Sequence, residues 1–302
     1  AIKNALFPPR GEVIKTLIKE FHYPTLGPGM MWEKVTELVR EAGGCVEIGS
    51  EVIRIVRNED SVNGVDINGP AGPRHIEGTD FFSTMPLNEL INCIDPAPPE
   101  EVVEAANGLR YRDFLTVVLI LDIADVFDDN WVYIHSPDVK VGRIQNFKNW
   151  SGDMVPDDST TSLGLEYFCN EGDGLWNMSD TKLLELGTIE IERIGLANKA
   201  NVLDGVVVRQ QKAYPVYDAV YGPLLATVQE WVSGLSNFHT IGRNGLHKYN
   251  NQDHSMLTAI MAVKNVVAGQ TNDVWSVNTD RSYHEEVRIP RSGGEPVDIL
   301  EA

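Results

Sequence analysis

Residues 114 to 168 carry four short runs, FLTVVLILDI, NWVYIH, VGRIQNF and TSLGLEYF, separated by turns that contain Asp, Pro and Gly. β-Branched and aromatic side chains suit a pleated, half-buried surface, so these runs predict successive strands of an antiparallel or mixed sheet. Other element types flank this region. In MWEKVTELVREAGG, Val35, Leu38, Val39 and Ala42 recur at helical spacing, and Gly43 and Gly44 stop the helix. CVEIGSEVIRIVR follows as a strand, NGVDI as the next strand after the turn NEDS, and DFFSTM as another. Farther on, Ser179 or Asp180 is placed to cap a helix that ends at Gly195, with Leu184, Ile191 and Ile194 on one face. DGVVVRQQ reads as a strand, YGPLLATVQEWVSGL as a helix with Pro near its first turn, FHTIG as a short strand and MLTAIMAVKNVVAG as a helix. The pattern is that of an α+β chain, and residues 273–302 read as a polar C-terminal tail.

Charge and composition exclude several partners. Asp and Glu outnumber Lys and Arg by 44 to 25, a formal net charge of -19, so nucleic acid and anionic membrane are electrostatically poor partners. Cys45, Cys93 and Cys169 are widely spaced without a CxxC pair, which suggests neither a disulfide framework nor a metal site, and fits a reducing cytoplasm. No apolar run is long enough to predict a membrane span, and no signal-peptide pattern is present.

The segment GRNGLHKYNNQDHSM, residues 242–256, lies between a predicted strand and a helix placed to start near Ser255. Unpaired N–H groups at such a helix start, with the helix dipole behind them, suit a phosphate or a carbonyl oxygen. Capping by Asp253 or Ser255, and a surface ion pair at Arg243, explain the same residues equally well. Spacing alone leaves both readings open.

Several segments resemble, in order along the chain, the flavin amine oxidase and protoporphyrinogen oxidase-like superfamily, nearest to UDP-galactopyranose mutases. Gly242-Arg243, Tyr249 and Asp253 before a helix are similar to that family's C-terminal flavin segment. YPTLGPGMMWEKVTELVREAGGCVEIGSEVIRI resembles its ring-facing loop, helix and VxxI strand. DFFSTMPLNELI resembles a further strand and turn. VGRIQNFKNW is similar to the mutase Thr-Arg-Ile-x-Glu-x-Lys strand at Arg143, Ile144 and Lys148, and AYPVYD to a Tyr-Pro segment.

The resemblance implies an FAD cofactor, with Gly27, Gly29, Met30, Val52, Gly242, Arg243, Asp253, His254 and Ser255 as cofactor-binding residues and no metal. It implies an incomplete, Rossmann-like FAD-binding subdomain (33–95 and 236–272) interleaved with a mixed-sheet substrate-binding subdomain (1–32 and 96–235). Arg143, Tyr214, Tyr217 and Tyr249 are the candidate catalytic residues, joined by His247. An Arg clamp with Tyr hydroxyls suits a phosphate or carboxylate on a small-molecule substrate. The expected activity is oxidation of an amine, alicyclic or nucleotide-sugar substrate; the alternatives are isomerisation without net redox, as in the mutases, and a non-catalytic binding module.

Two departures qualify this expectation. The superfamily holds the ADP half of FAD on a GxGxxG strand–loop–helix unit, and this chain has none; GPGMMW lacks the third Gly. An upstream nucleotide-binding region of the same protein is therefore the expected partner, and the chain alone is expected to bind FAD poorly and to be inactive. Asn146 stands where the mutase strand has Glu, and Gln252 where it has Met.

Overall fold

The β-branched runs form one antiparallel sheet, and their alternation decides which side chains meet solvent, helix or cavity. The computed structural model describes residues 22–278 and two short strands, Ile289–Pro290 and Pro296–Val297. The expectations for residues 1–21 and for the remainder of the tail lie outside the described residues. The chain divides into one unit of Tyr23–Trp275 and a second of Ala1–His22 with Ser276–Ala302. In the second unit the two short strands pair antiparallel.

In chain order the first unit holds α1 (Gly29–Glu41), β1 (Glu51–Arg57), β2 (Val62–Gly69), β3 (Gly72–Glu77), β4 (Phe81–Ser83), α2 (Leu87–Asn92), β5 (Ile94–Asp95) and α3 (Glu100–Gly108). There follow β6 (Tyr111–Leu121), β7 (Trp131–Tyr133), β8 (Arg143–Asn146), α4 (Phe147–Trp150), β9 (Thr161–Cys169) and α5 (Asp180–Arg193). The last elements are β10 (Val202–Pro215), α6 (Tyr221–Ser233), β11 (Phe238–Thr240) and α7 (Gln252–Ala268).

Strands β10-β6-β9-β8-β7 make a five-stranded sheet in which every pairing is antiparallel, so the mixed sheet expected here is purely antiparallel. Because strand side chains alternate between faces, Leu115, Val117, Leu119 and Leu121 of β6 and Leu163, Leu165 and Tyr167 of β9 are all buried on one face. Helix α5 covers that face. Its buried residues are Leu183, Gly187, Glu190 and Ile191, while Leu184 and Ile194 are only partly buried, a shift from the predicted face. Gly187 is what lets the helix approach: a Cβ there would lie 3.1 Å from Val117 and 3.3 Å from Leu165. Glu190 tolerates burial because its carboxylate accepts from the Lys140 and Val141 N–H groups and the Tyr167 hydroxyl.

A four-stranded mixed sheet, β3-β2-β1-β5, and a parallel pair, β11-β4, make up the remaining sheets of this unit. Pairing of Phe238–Thr240 with Phe81–Ser83 brings two distant stretches of sequence side by side. The buried apolar residues fall into two clusters. One joins residues 55–109 to 228–238 and the other spans 115–197. The first reaches beyond residue 95 and before residue 236, through Val102, Ala105 and Ala106 of α3 and Val228 and Val232 of α6. No helix among the described residues is long and apolar enough to cross a membrane.

Candidate functional site

The sheet face turned away from α5 carries the polar and aromatic residues. Arg143 on β8 stands opposite Glu166 on β9, and Gln145, two residues on, shares the Arg143 face. Arg143 Nε donates to Glu166 Oε2 and Gln145 Nε2 donates to Glu166 Oε1 at 2.5 Å. Burial works against the Arg143 charge, but the hydrogen bond and charge of Glu166 outweigh it and hold the guanidinium firmly protonated. Ile144 and Asn146 point the other way and are buried. Asn146 donates to the Phe127 carbonyl, so the residue that departs from the mutase pattern ties a loop and does not face ligand space. Lys148 likewise ties loops, donating to the Ala124 and Asp158 carbonyls.

The loop between β11 and α7 supplies the second wall. Gly242 has a φ of 82°, the left-handed region open to Gly, and its N–H donates to Thr258 Oγ1. Arg243 is fixed from behind, with Nε donating to the Asn250 carbonyl and Nη1 to the Ala213 carbonyl. Its guanidinium also lies over the rings of Tyr214 (5.2 Å) and Tyr249 (4.7 Å), which stack on each other at 5.4 Å. Helix α7 begins at Gln252, earlier than predicted, and its cap is Asn251 and not Asp253 or Ser255. The His254 N–H is bonded to the Asn251 side chain, and the Asn251 N–H donates to His254 Nδ1.

These walls meet at a cavity of about 850 Å³ lined by Trp32, Arg143, Gln145, Trp150, Arg243, Asn250, Asn251, Gln252, Asp253 and Ser255. That volume falls in the range of about 300–1,000 Å³ usual for small-molecule sites. Trp32 of α1 closes onto α7 by donating from Nε1 to Gln252 Oε1 at 3.2 Å.

No protein-family profile matches the sequence, and no curated protein matches it. Solved structures do. A reduced UDP-galactopyranose mutase superposes with a TM-score of 0.73 at 19% identity, covering 86% of this chain and 55% of that one. A putative protoporphyrinogen oxidase from Exiguobacterium sp. 255-15 gives 0.59 at 15% (81% and 51%), and a CLA-producing fatty acid isomerase from P. acnes gives 0.56 at 14% (80% and 52%). The chain shares the fold of these structures. The chain spans about half the length of each of these structures.

Of the residues singled out in the sequence, Arg143, Arg243, Asp253 and Ser255 line the cavity together. Tyr214 and Tyr249 stand behind Arg243 as its stacking partners. Tyr217 is a further step back: its hydroxyl accepts from the Tyr249 N–H at 2.6 Å, and burial pushes its pKa up to about 12. His254 lies within the helix cap. Gly27 is a buried turn with a φ of 93°, Gly29 opens α1, and the Met30 sulfur accepts from the Leu26 N–H, so the loop positions Trp32 and lies off the cavity lining. Val52 lines a different cavity, of about 540 Å³, with Ser50, Glu51, Met85, Asn88, Glu89, Asn92 and Cys93. His247 packs against Tyr111 and has no place in either cavity.

Trp32, Gln145, Trp150, Asn250, Asn251 and Gln252 line the cavity without having been singled out from the sequence as site residues. Gln145 had a signal, since it shares the Arg143 face of a strand. Trp32 had none, because it reaches the site only through the meeting of two helices remote in sequence.

Proposed function

We propose that this chain forms the ring-facing and substrate-facing part of an FAD-dependent enzyme acting on a small molecule. The observation that carries the reading is the joining of Arg143 and Arg243 in one cavity beside two indoles at the start of α7. Fit to the cofactor rests on the donor set. Two guanidiniums held from behind leave N–H groups for phosphate or carbonyl oxygens, and Trp32 adds a half-exposed indole suited to a flat ring, while Trp150 is itself stacked on Tyr23 and Trp131. Asp253 in the first turn of α7 repels phosphate and suits ribityl hydroxyls instead. In this reading Arg143, Arg243, Asp253 and Ser255 hold the group, with Gly242 shaping the loop and Val52 at the adenine side. A bound flavin would supply two-electron chemistry at its ring, and the protein would orient substrate and exclude water.

A mutase-like isomerisation is the second reading, favoured by the lining itself. Arg143 and Arg243 offer the two cations that the diphosphate of a nucleotide sugar asks for. The ADP half of the cofactor would be held by a GxGxxG unit outside residues 1–302, consistent with the half-length match.

The test is the absorption spectrum of the protein purified together with its flanking coding region. Bound flavin is expected there; a colourless protein that FAD titration leaves unchanged would refute the cofactor. With flavin present, reduced protein that exchanges a nucleotide sugar without net electron transfer selects the isomerase. Flavin reduction by an amine or alicyclic substrate selects the oxidase.

A further inference from the structure

Glu166 is 2% exposed, is absent from the cavity lining, and yet controls two residues that line it. Its carboxylate is acceptor-only and takes one donor on each oxygen: Arg143 Nε on Oε2 and Gln145 Nε2 on Oε1. Both consequences follow from planar geometry. With Nε engaged by Glu166 and Cζ 5.9 Å from the Tyr133 ring, the Arg143 guanidinium is held where it lines the cavity. With Nε2 engaged, Oε1 is the amide atom left to accept from a ligand in the cavity that Gln145 lines. An acceptor-only partner permits no flipped amide.

We infer that Glu166 is a positioning residue that presents a donor, the Arg143 guanidinium, beside an acceptor, Gln145 Oε1, and that this pair recognises the imide edge of a flat heterocycle, a C=O next to an N–H. The half-exposed indole of Trp32 in the same lining suits a flat ring. Two ligands carry this edge: the isoalloxazine of a flavin and the uracil of a nucleotide. The first source rests on the flavin reading above; the second does not.

A buried ion pair that only stabilises the sheet is the competing role, so the test separates fold from recognition. Affinities of FMN and of UMP are measured, after removal of any bound flavin, on the protein purified with its flanking coding region and on its Glu166→Gln, Glu166→Asp and Gln145→Met variants, with thermal midpoints alongside. Glu166→Gln can accept only one of the two donors, so affinity for the imide-bearing probe is expected to fall roughly tenfold, as for one polar contact left unmade. Glu166→Asp restores part of it, and Gln145→Met reproduces the loss without touching the ion pair. Inorganic pyrophosphate, which needs only cationic donors, changes far less. 3-Methyluridine monophosphate, which lacks the N–H, binds the native protein as weakly as UMP binds Glu166→Gln.

A Glu166→Gln protein with a lower midpoint and unchanged probe affinity, or an innocuous Gln145→Met, overturns the inference. So does failure of the native protein to bind either FMN or UMP. Should Glu166→Gln not fold, Glu166→Asp and Gln145→Met carry the decision. Glu166-dependent UMP binding in the protein purified with its flanking coding region, when that protein carries no flavin and takes up no FAD, would sink the cofactor reading and leave this one standing.

Discussion

His247 shows how a polar residue in a suggestive loop is engaged elsewhere. Its backbone is left-handed, with a φ of 47°, and its ring is fully buried, edge-on to Tyr111 at 4.8 Å and near Tyr217 and Tyr221. No hydrogen bond of good geometry reaches either ring nitrogen. Burial pushes the imidazole down to about 4, offset only in part by the Val216 backbone and the Asp218 charge. The folded value lies below the unfolded value of about 6.5, so as pH falls the unfolded chain takes up the proton first. Stability from burying the neutral ring is complete above pH 6.5 and is lost as pH falls towards 4, by on the order of 3 kcal/mol. Denaturant midpoints measured across that window should fall less steeply in His247→Gln than in the native protein; parallel curves would show that the ring does not titrate as its surroundings imply.

Two helices carry their own expectations. The cap of α7 is a reciprocal pair, Asn251 with His254, at the wall of the cavity. Asn251→Ala should cost about 1 kcal/mol, the usual loss for an N-cap, read as a lower urea midpoint at unchanged slope. Against α5, Val117 and Leu165 are fully buried and cannot yield to a larger side chain at Gly187. Gly187→Val should therefore destabilise by about 1–3 kcal/mol, as overpacking does, although Gly is itself a poor helix residue. An unchanged thermal midpoint would mean that α5 stands off the sheet.

Legibility followed the same division. Strands β6 and β9 and helix α5 were readable because alternation and capping residues are local signals, and Ser179 does accept from the Lys182 N–H as an N-cap. The start of α7 was misplaced because the run Asn250-Asn251-Gln252-Asp253 offers several caps and only the His254 contact selects one. Arg143 and Arg243, which line the cavity, were singled out through the resemblance. Glu166 was not, because its partner is set by the β8–β9 register, which no local pattern encodes.

At the scale of the whole molecule, charge and apolar surface oppose each other. Met256, Ile260, Val263 and Val267 of α7 are exposed at spacings of three and four residues, one continuous apolar stripe. Trp32, Val35, Leu38 and Val39 of α1 are also exposed, and α1 buries no residue at all. Apolar stripes of this kind attract other apolar surface, whereas a net charge of -19 repels a second copy of the same chain. Salt screens the repulsion, with a Debye length falling from about 30 Å at 0.01 M to about 3 Å at 1 M, and leaves the hydrophobic attraction in place. The 302-residue protein should therefore sediment as a smaller species at low salt and as larger, concentration-dependent species as salt is raised. Ile260→Glu with Val263→Glu, which interrupts the stripe and adds charge, should hold the low-salt behaviour throughout. Sedimentation independent of salt in both proteins would mean that the stripe is covered within the chain.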